Sequence, residues 1–244
     1  MDINEFVQNR KIGIQALTGS HNYNLNTPSS DKDYKFFVFP TFDDLYNNKR
    51  FHNSVVSDTL DATAHDIRDL PEQLWKSNIN FIEILFTKEK NTLGDFEFLF
   101  KDRELYATMQ LYTFWKASYG MHLMKMKDLH KGTGNTTHLV EKFGYDTKQA
   151  CHALRVLYVT SRFMKTGSME KSLYFEDNDE ERDSLLNIKS GFGGEELFLS
   201  VVERWHERWK WYCEEFYSKQ LPNLEAREKL EKSIKKIVEK RITP

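Results

Sequence analysis

The sequence predicts an α+β protein, a small mixed β-sheet packed with helices and followed by a mainly α-helical domain. Short β-branched and aromatic runs bounded by polar turns fall within roughly the first ninety residues, and from about residue 95 onward the apolar spacing is mainly helical. Size supports the division: 244 residues and 29.0 kDa suffice for two modest cores, with the boundary where the periodicity changes, 1–95 against 96–244.

In chain order, KIGIQALTG is a β-type run closed by Gly19-Ser20. YKFFVFP is aromatic and β-branched with Pro40 as its stop, and SVVSDTLDATAH alternates loosely. Three strands with connecting helices are expected here. Asp69-Leu-Pro-Glu72 has the form of a capping box with proline near the first helical position, so a helix starts there. Asn80 with Glu83 repeats the device: the Asn accepts from first-turn amides while Glu83 reaches back, above an apolar face of Phe81, Ile82, Leu85 and Phe86.

Further on, KDLHKGTGNTTHL and the acidic, then Gly-rich YFEDNDEERDSLLNIKSGFGGEE read as loops. In VVERWHERWKWYCEEFY, Trp205, Trp209, Tyr212 and Phe216 recur at helical spacing, the packed face of a helix rather than a stacking platform for bases. LEAREKLEKSIKKIVEKRI reads as a helix docked through Leu230, Ile234, Ile237 and Val238, with its lysines solvated.

Composition excludes several classes. The 35 Lys and Arg against 37 Asp and Glu leave a formal charge of -2, so there is no global basic field and any polyanion contact must be local. Cys151 and Cys213 lie in helical patterns without metal-type partners, which fits a reducing compartment and a cytoplasmic protein. MDINEFVQNRK lacks a signal-peptide core and no 18 apolar residues run together, so neither targeting nor a membrane span is expected. The 8 histidines show no zinc spacing, GFGG at 191–194 follows no predicted strand, and neither a P-loop nor a G-x-S-x-G elbow is present.

The chemistry concentrates in GSHNYNLNTPSSDKDYKFFVFP, residues 19–40. Residues i and i+2 of a strand share a face with Cα atoms roughly 6.5–7 Å apart, so Asp31 and Asp33 project together while Lys32 points the other way. Two such carboxylates repel unless hydrated or neutralised, and a divalent cation resolves the conflict. Oxygen-only ligation suits Mg²⁺ or Mn²⁺. The plainer alternative is turn chemistry, since Asp and Ser readily bond nearby amides. Upstream, a glycine at position 19 lets backbone approach a phosphate closely, with free amides and the Ser20 hydroxyl as donors.

The second cluster is GYDTKQACHALR. Asp146 with Gln149 forms a capping box, so a helix begins near Thr147, and Lys148, His152 and Arg155 fall at i, i+4 and i+7 on one face. Such a cationic stripe either is solvated or faces an anion.

Gly19-Ser20, Tyr23, Leu25, Thr27-Pro28, Ser30-Asp31 and Asp33 together resemble the DNA polymerase beta nucleotidyltransferase superfamily, in which a Gly-Ser loop precedes an aspartate pair by a similar distance. The pattern is similar to the bacterial and phage branch of predicted nucleotidyltransferases that includes RNA-repair-associated members. HDIRDLPEQLWKSNINFIEILF and GYDTKQACHALR resemble later segments of that branch, so the likeness spans about residues 12–170. It implies transfer of a nucleoside monophosphate from an NTP, ATP among them, to an acceptor hydroxyl with release of pyrophosphate. Gly19 and Ser20 would hold the triphosphate, with His21 touching a phosphate or shaping the turn, and Asp31 and Asp33 would bind two metal ions.

The superfamily also expects a third carboxylate from a neighbouring strand. Asp61 is preferred because a strand residue is rigidly held; Asp66 is the alternative and Asp58 a weaker one. The resemblance further implies that Lys148, His152 and Arg155 line a cleft and contact triphosphate or an RNA acceptor. Two other functions stay open: a non-catalytic nucleotide or RNA binder that keeps the fold, and a metal-dependent hydrolase.

Overall fold

The computed structural model describes residues 2–28, 30–56 and 61–242, and the fold is α+β. Five strands form one mixed sheet: β1 (Ile12–Thr18), β2 (Asp33–Val38), β3 (His52–Val56), β4 (Asp61–Asp66) and β5 (Lys90–Thr92), in the order β3-β4-β2-β1-β5. β2 and β4 run parallel, and the other neighbouring pairs are antiparallel.

Alternation along β2 decides what each face of the sheet does. Phe36 and Val38 point to one side, where they are fully buried with Ala62, Ala64, Phe51, Phe6 and Val7. Each large side chain so buried contributes roughly 1.5–3 kcal/mol. Asp33, Lys35 and Phe37 therefore point to the other side, and the parallel register sets them beside Asp61, Thr63 and His65 of β4. A polar end of the sheet is thus built onto an apolar one.

The segment SVVSDTLDATAH is not one loosely alternating run. Its described residues belong to two strands, β3 and β4, paired from His52↔His65 to Val56↔Asp61. The short edge strand β5 is a further addition; it leans on β1 through Ile14↔Thr92 to Ala16↔Lys90.

Two capping assignments change. The helix Leu70–Trp75 starts as expected with Pro71 in its first turn, but Asp69 makes no side-chain cap bond. Asp66 does the capping one turn earlier, accepting from the Arg68 amide at 3.0 Å. Likewise Asn78, not Asn80, caps Ile79–Ile82, with its Oδ1 accepting from the Asn80 amide at 2.9 Å. Glu83 does not reach back, because its carboxylate is committed elsewhere.

The chain divides into two compact units, one comprising residues up to Gln110 plus those from Pro222 on, the other Leu111–Leu221. The division differs from the expected 95/96 boundary. Phe96, Leu99, Phe100, Tyr106 and Ala107 still belong to the first core, and the helix Leu224–Ile242 returns to it, packing on Leu70–Trp75 and Arg103–Ala107. Its buried face carries Leu230, Ile234, Ile237 and Val238, as its spacing predicts.

The second unit is organised around Thr147–Thr166, packed by Leu111–Lys127, Met169–Leu173 and Glu180–Ser190. Asp146 caps the central helix by accepting from the Gln149 amide at 3.0 Å, and Gly167 ends it in the left-handed region. The acidic segment expected to be a loop contains Glu180–Ser190, a helix capped by Asp179 and closed by Gly191 at φ +80°. The aromatic stripe is also displaced. A π-turn over His206–Lys210 inserts one extra residue, so the inward face after Trp205 is Cys213 and Tyr217, while Tyr212 is exposed. Trp205 donates to Ser161 Oγ at 3.2 Å and Tyr217 to the Thr160 carbonyl at 2.8 Å, which fixes that register. Among the described residues, no helix is long and apolar enough to cross a membrane.

Candidate functional site

Asp33 opens β2 and Asp61 opens β4, and the parallel register makes them direct neighbours. The charge of Asp61 acts directly on Asp33. Asp31 lies just before the strand rather than in it, and is exposed, yet its charge still acts on Asp33. The expected pairing of Asp31 and Asp33 by strand alternation is therefore replaced by a cross-strand pair with Asp31 at its margin. Asp33 is pushed up to about 6, first by burial, then by Asp61, Glu83 and Asp31. Like charges crowd here, and the free energy falls when one of them is protonated or countered.

Gly19 ends the loop from β1 and faces this group. Its φ of +71° and ψ of -151° suit glycine alone, and a Cβ there would stand 2.2 Å from Asp33 Oδ2. The Gly19 amide donates to Glu83 Oε2 at 3.0 Å. Ser20 opens the short helix Ser20–Tyr23 that follows. The His21 ring nitrogen Nε2 donates to the Ser30 carbonyl at 3.0 Å, a bond that ties the turn together.

Two residues of this group were not anticipated. Glu83 is 3% exposed, and nothing in its local sequence announces a contact with position 19. Lys35 was legible in principle, since it stands two residues after Asp33 on the same strand face. Burial pulls its ammonium below the usual lysine value, against the opposing pull of Glu83 and Asp33. The strand face that carries Asp33 thus holds a cation as well. Lys32 does point away, pairing with Glu89 at 2.7 Å, and Tyr34 donates to the same carboxylate at 2.6 Å.

The other acid candidates fall elsewhere. Asp66 has the opposite parity to Asp61 on β4, is fully buried, and accepts from Arg68 at 2.6 and 2.8 Å. It does not join Asp33, and as alternative third ligand it is corrected to a structural ion pair. Asp58 lies outside the described residues.

In the second unit the cationic stripe is graded. Lys148 is exposed, His152 is half-buried and Arg155 is 2% exposed. Neighbouring helices add to it. The His122 ring Nδ1 donates to the Ala153 carbonyl at 3.0 Å and the Asp146 amide donates to the Leu129 carbonyl at 2.8 Å, so Lys125 lies between these two ties, opposite the first turns of Thr147–Thr166. The charge of Arg155, then burial, then Lys125 and Lys189 hold His152 well below its usual value. Lys125 and Lys189 thus act on His152 beside the expected trio, of which Lys148 is the exposed member.

The donors gathered around Asp33 are carboxylate oxygens, the set that a hard divalent cation takes. The crowding that raises Asp33 is the kind of repulsion such an ion relieves, so Asp31, Asp33 and Asp61 fit it in kind. Among the described residues, however, no three His, Cys, Asp or Glu side chains are drawn together closely enough to form a finished metal cage. Comparison with protein-family models, with curated proteins and with solved structures finds no match for this chain.

Proposed function

We propose that the chain is a nucleotidyltransferase that moves a nucleoside monophosphate from an NTP to an acceptor hydroxyl and releases pyrophosphate. The observation that carries this reading is the placement of Asp33 beside Asp61, with Gly19 within van der Waals reach of Asp33. Carboxylates set against a loop open to close backbone approach can hold a metal and a phosphate side by side.

Asp31, Asp33 and Asp61 would hold Mg²⁺ or Mn²⁺, which supplies charge neutralisation at the phosphates and lowers the pKa of a hydroxyl. The rest belongs to the chain. Gly19 brings the backbone close to the Asp33 carboxylate, and Ser20 beside it offers a hydroxyl donor to a phosphate. In the transfer, the acceptor oxygen bonds to the α-phosphorus, the bridge to the β-phosphate breaks, and the acceptor proton passes to a carboxylate of the Asp33–Asp61 pair. Within the second unit, His152, Arg155, Lys125 and Lys189 form a basic group that would meet a phosphate. RNA is the acceptor this reading favours, on the sequence resemblance.

The test is transfer of label from an α-labelled NTP in the presence of Mg²⁺ and cell extract. Asp33→Asn and Asp31→Asn each abolish labelling while circular dichroism stays unchanged; undiminished transfer by both variants refutes the assignment. A second reading, a nucleotide or RNA binder without transfer activity, is favoured by the absence of a finished cage among the described residues. It predicts nucleotide binding that does not depend on Mg²⁺.

A further inference from the structure

Glu83 is a nearly fully buried carboxylate set among other carboxylates, an arrangement that costs stability unless the charge is used. It stands at the head of the 3-10 turn Glu83–Phe86, 64 residues from Gly19 in sequence, and accepts from the Gly19 amide at 3.0 Å. The same turn is strapped to the loop again. Asn22 Nδ2 donates to the Glu83 carbonyl at 3.1 Å, and the Lys88 amide donates to Asn22 Oδ1 at 3.2 Å. Just upstream, Thr87 Oγ1 donates to the Leu17 carbonyl at 2.7 Å and the Leu17 amide to the Glu89 carbonyl at 2.9 Å. The segment 83–89 therefore holds β1, the Gly19 loop and Ser20–Tyr23 on both sides of position 19.

Within this scaffold the Glu83 bond fixes the amide of Gly19, the residue packed against the Asp33 carboxylate. Glycine at position 19 has many backbone conformations open to it, so the one observed is held by its outside contacts. Lys35, on the Asp33 face, supplies the counter-charge for Glu83. A neutral amide at position 83 could accept the same hydrogen bond, so the carboxylate does two separable things: it fixes the loop and it strengthens the bond by its charge.

We propose that Glu83 is a positioning residue of the nucleotide site, holding the Gly19 loop against the Asp33–Asp61 pair in the geometry that receives the triphosphate. This rests on the nucleotidyltransferase reading above. Glu83 touches no reacting atom; it acts through Gly19.

Glu83→Ala removes the acceptor and Glu83→Gln keeps it without the charge. The readouts are the Gly19 amide resonance in ¹⁵N-labelled full-length protein, and the KM and kcat for NTP with Mg²⁺. In E83A the Gly19 resonance moves upfield and its amide exchanges faster, while the KM for NTP rises on the order of 10- to 100-fold, the scale of a lost charged hydrogen bond, with a smaller change in kcat. E83Q shifts the resonance partway and raises KM less than E83A. If E83A does not fold, the partial effects in E83Q carry the comparison alone. Should the Gly19 resonance move while KM stays at the wild-type value, or should it stay in place, Glu83 has no positioning role and the nucleotide reading stands untouched. A wild-type protein that neither binds nor turns over any Mg-NTP overturns both.

Discussion

Replacing Gly19 by alanine tests the geometry on which the site depends. At φ +71° and ψ -151° the residue occupies a region that side chains avoid, at a cost of about 1–3 kcal/mol. The new methyl would also stand 2.2 Å from Asp33 Oδ2, well inside contact distance, so the Asp33 carboxylate must turn from its place. Overpacking of this kind adds about 1–3 kcal/mol. Together these lower the urea midpoint by on the order of 1 M for a slope of about 2 kcal/mol per molar. Equilibrium unfolding and NTP binding on the same preparation measure both consequences. Gly19→Ala unfolds earlier and loses Mg²⁺-dependent NTP binding. A variant as stable as the wild type, with unaltered nucleotide affinity, refutes the argument from close approach.

Gly120→Ala has the opposite sign: Gly120 lies exposed within Leu111–Lys127 and a Cβ there meets nothing within 4 Å, so the variant gains about 0.5–1 kcal/mol in the same urea experiment. His122 gives a pH signature. It is 1% exposed, donates to the Ala153 carbonyl, and is held down to about 4 chiefly by burial, so the folded state takes up its proton later than the unfolded state does. The stability it contributes is complete above an ordinary histidine value of about 6.5 and is lost as pH falls toward about 4, a loss of about 2 kcal/mol by pH 5. Comparing urea midpoints at pH 7 and pH 5, His122→Gln shows a smaller loss than the wild type; an identical pH dependence contradicts the assignment.

Local rules carried the sequence reading wherever a residue's role is set by its neighbours in the chain. The aromatic and β-branched run YKFFVFP marked strand β2, the Asp146 cap placed the start of Thr147–Thr166, and apolar spacing oriented Leu224–Ile242. Three kinds of information were missing. Strand ends are set by pairing, so nothing local told Asp31 that β2 begins at Asp33. A π-turn changes the helical period without a motif, which moved the buried face to Cys213 and Tyr217. Long-range partners choose among equivalent polar residues, which is why Glu83 left the Asn80 cap for Gly19. Only Lys35 was available to a stricter use of parity, since position 35 must share a face with position 33.

The central claim is that Asp33 and Asp61, with Asp31, bind a divalent cation together with a triphosphate held at Gly19. Isothermal calorimetry of the full-length protein with each NTP, with and without Mg²⁺, measures this directly in the wild type and in Asp33→Asn. The account predicts tight binding only when protein, metal and the Asp33 carboxylate are all present. Equal binding with and without Mg²⁺, undisturbed in Asp33→Asn, contradicts it.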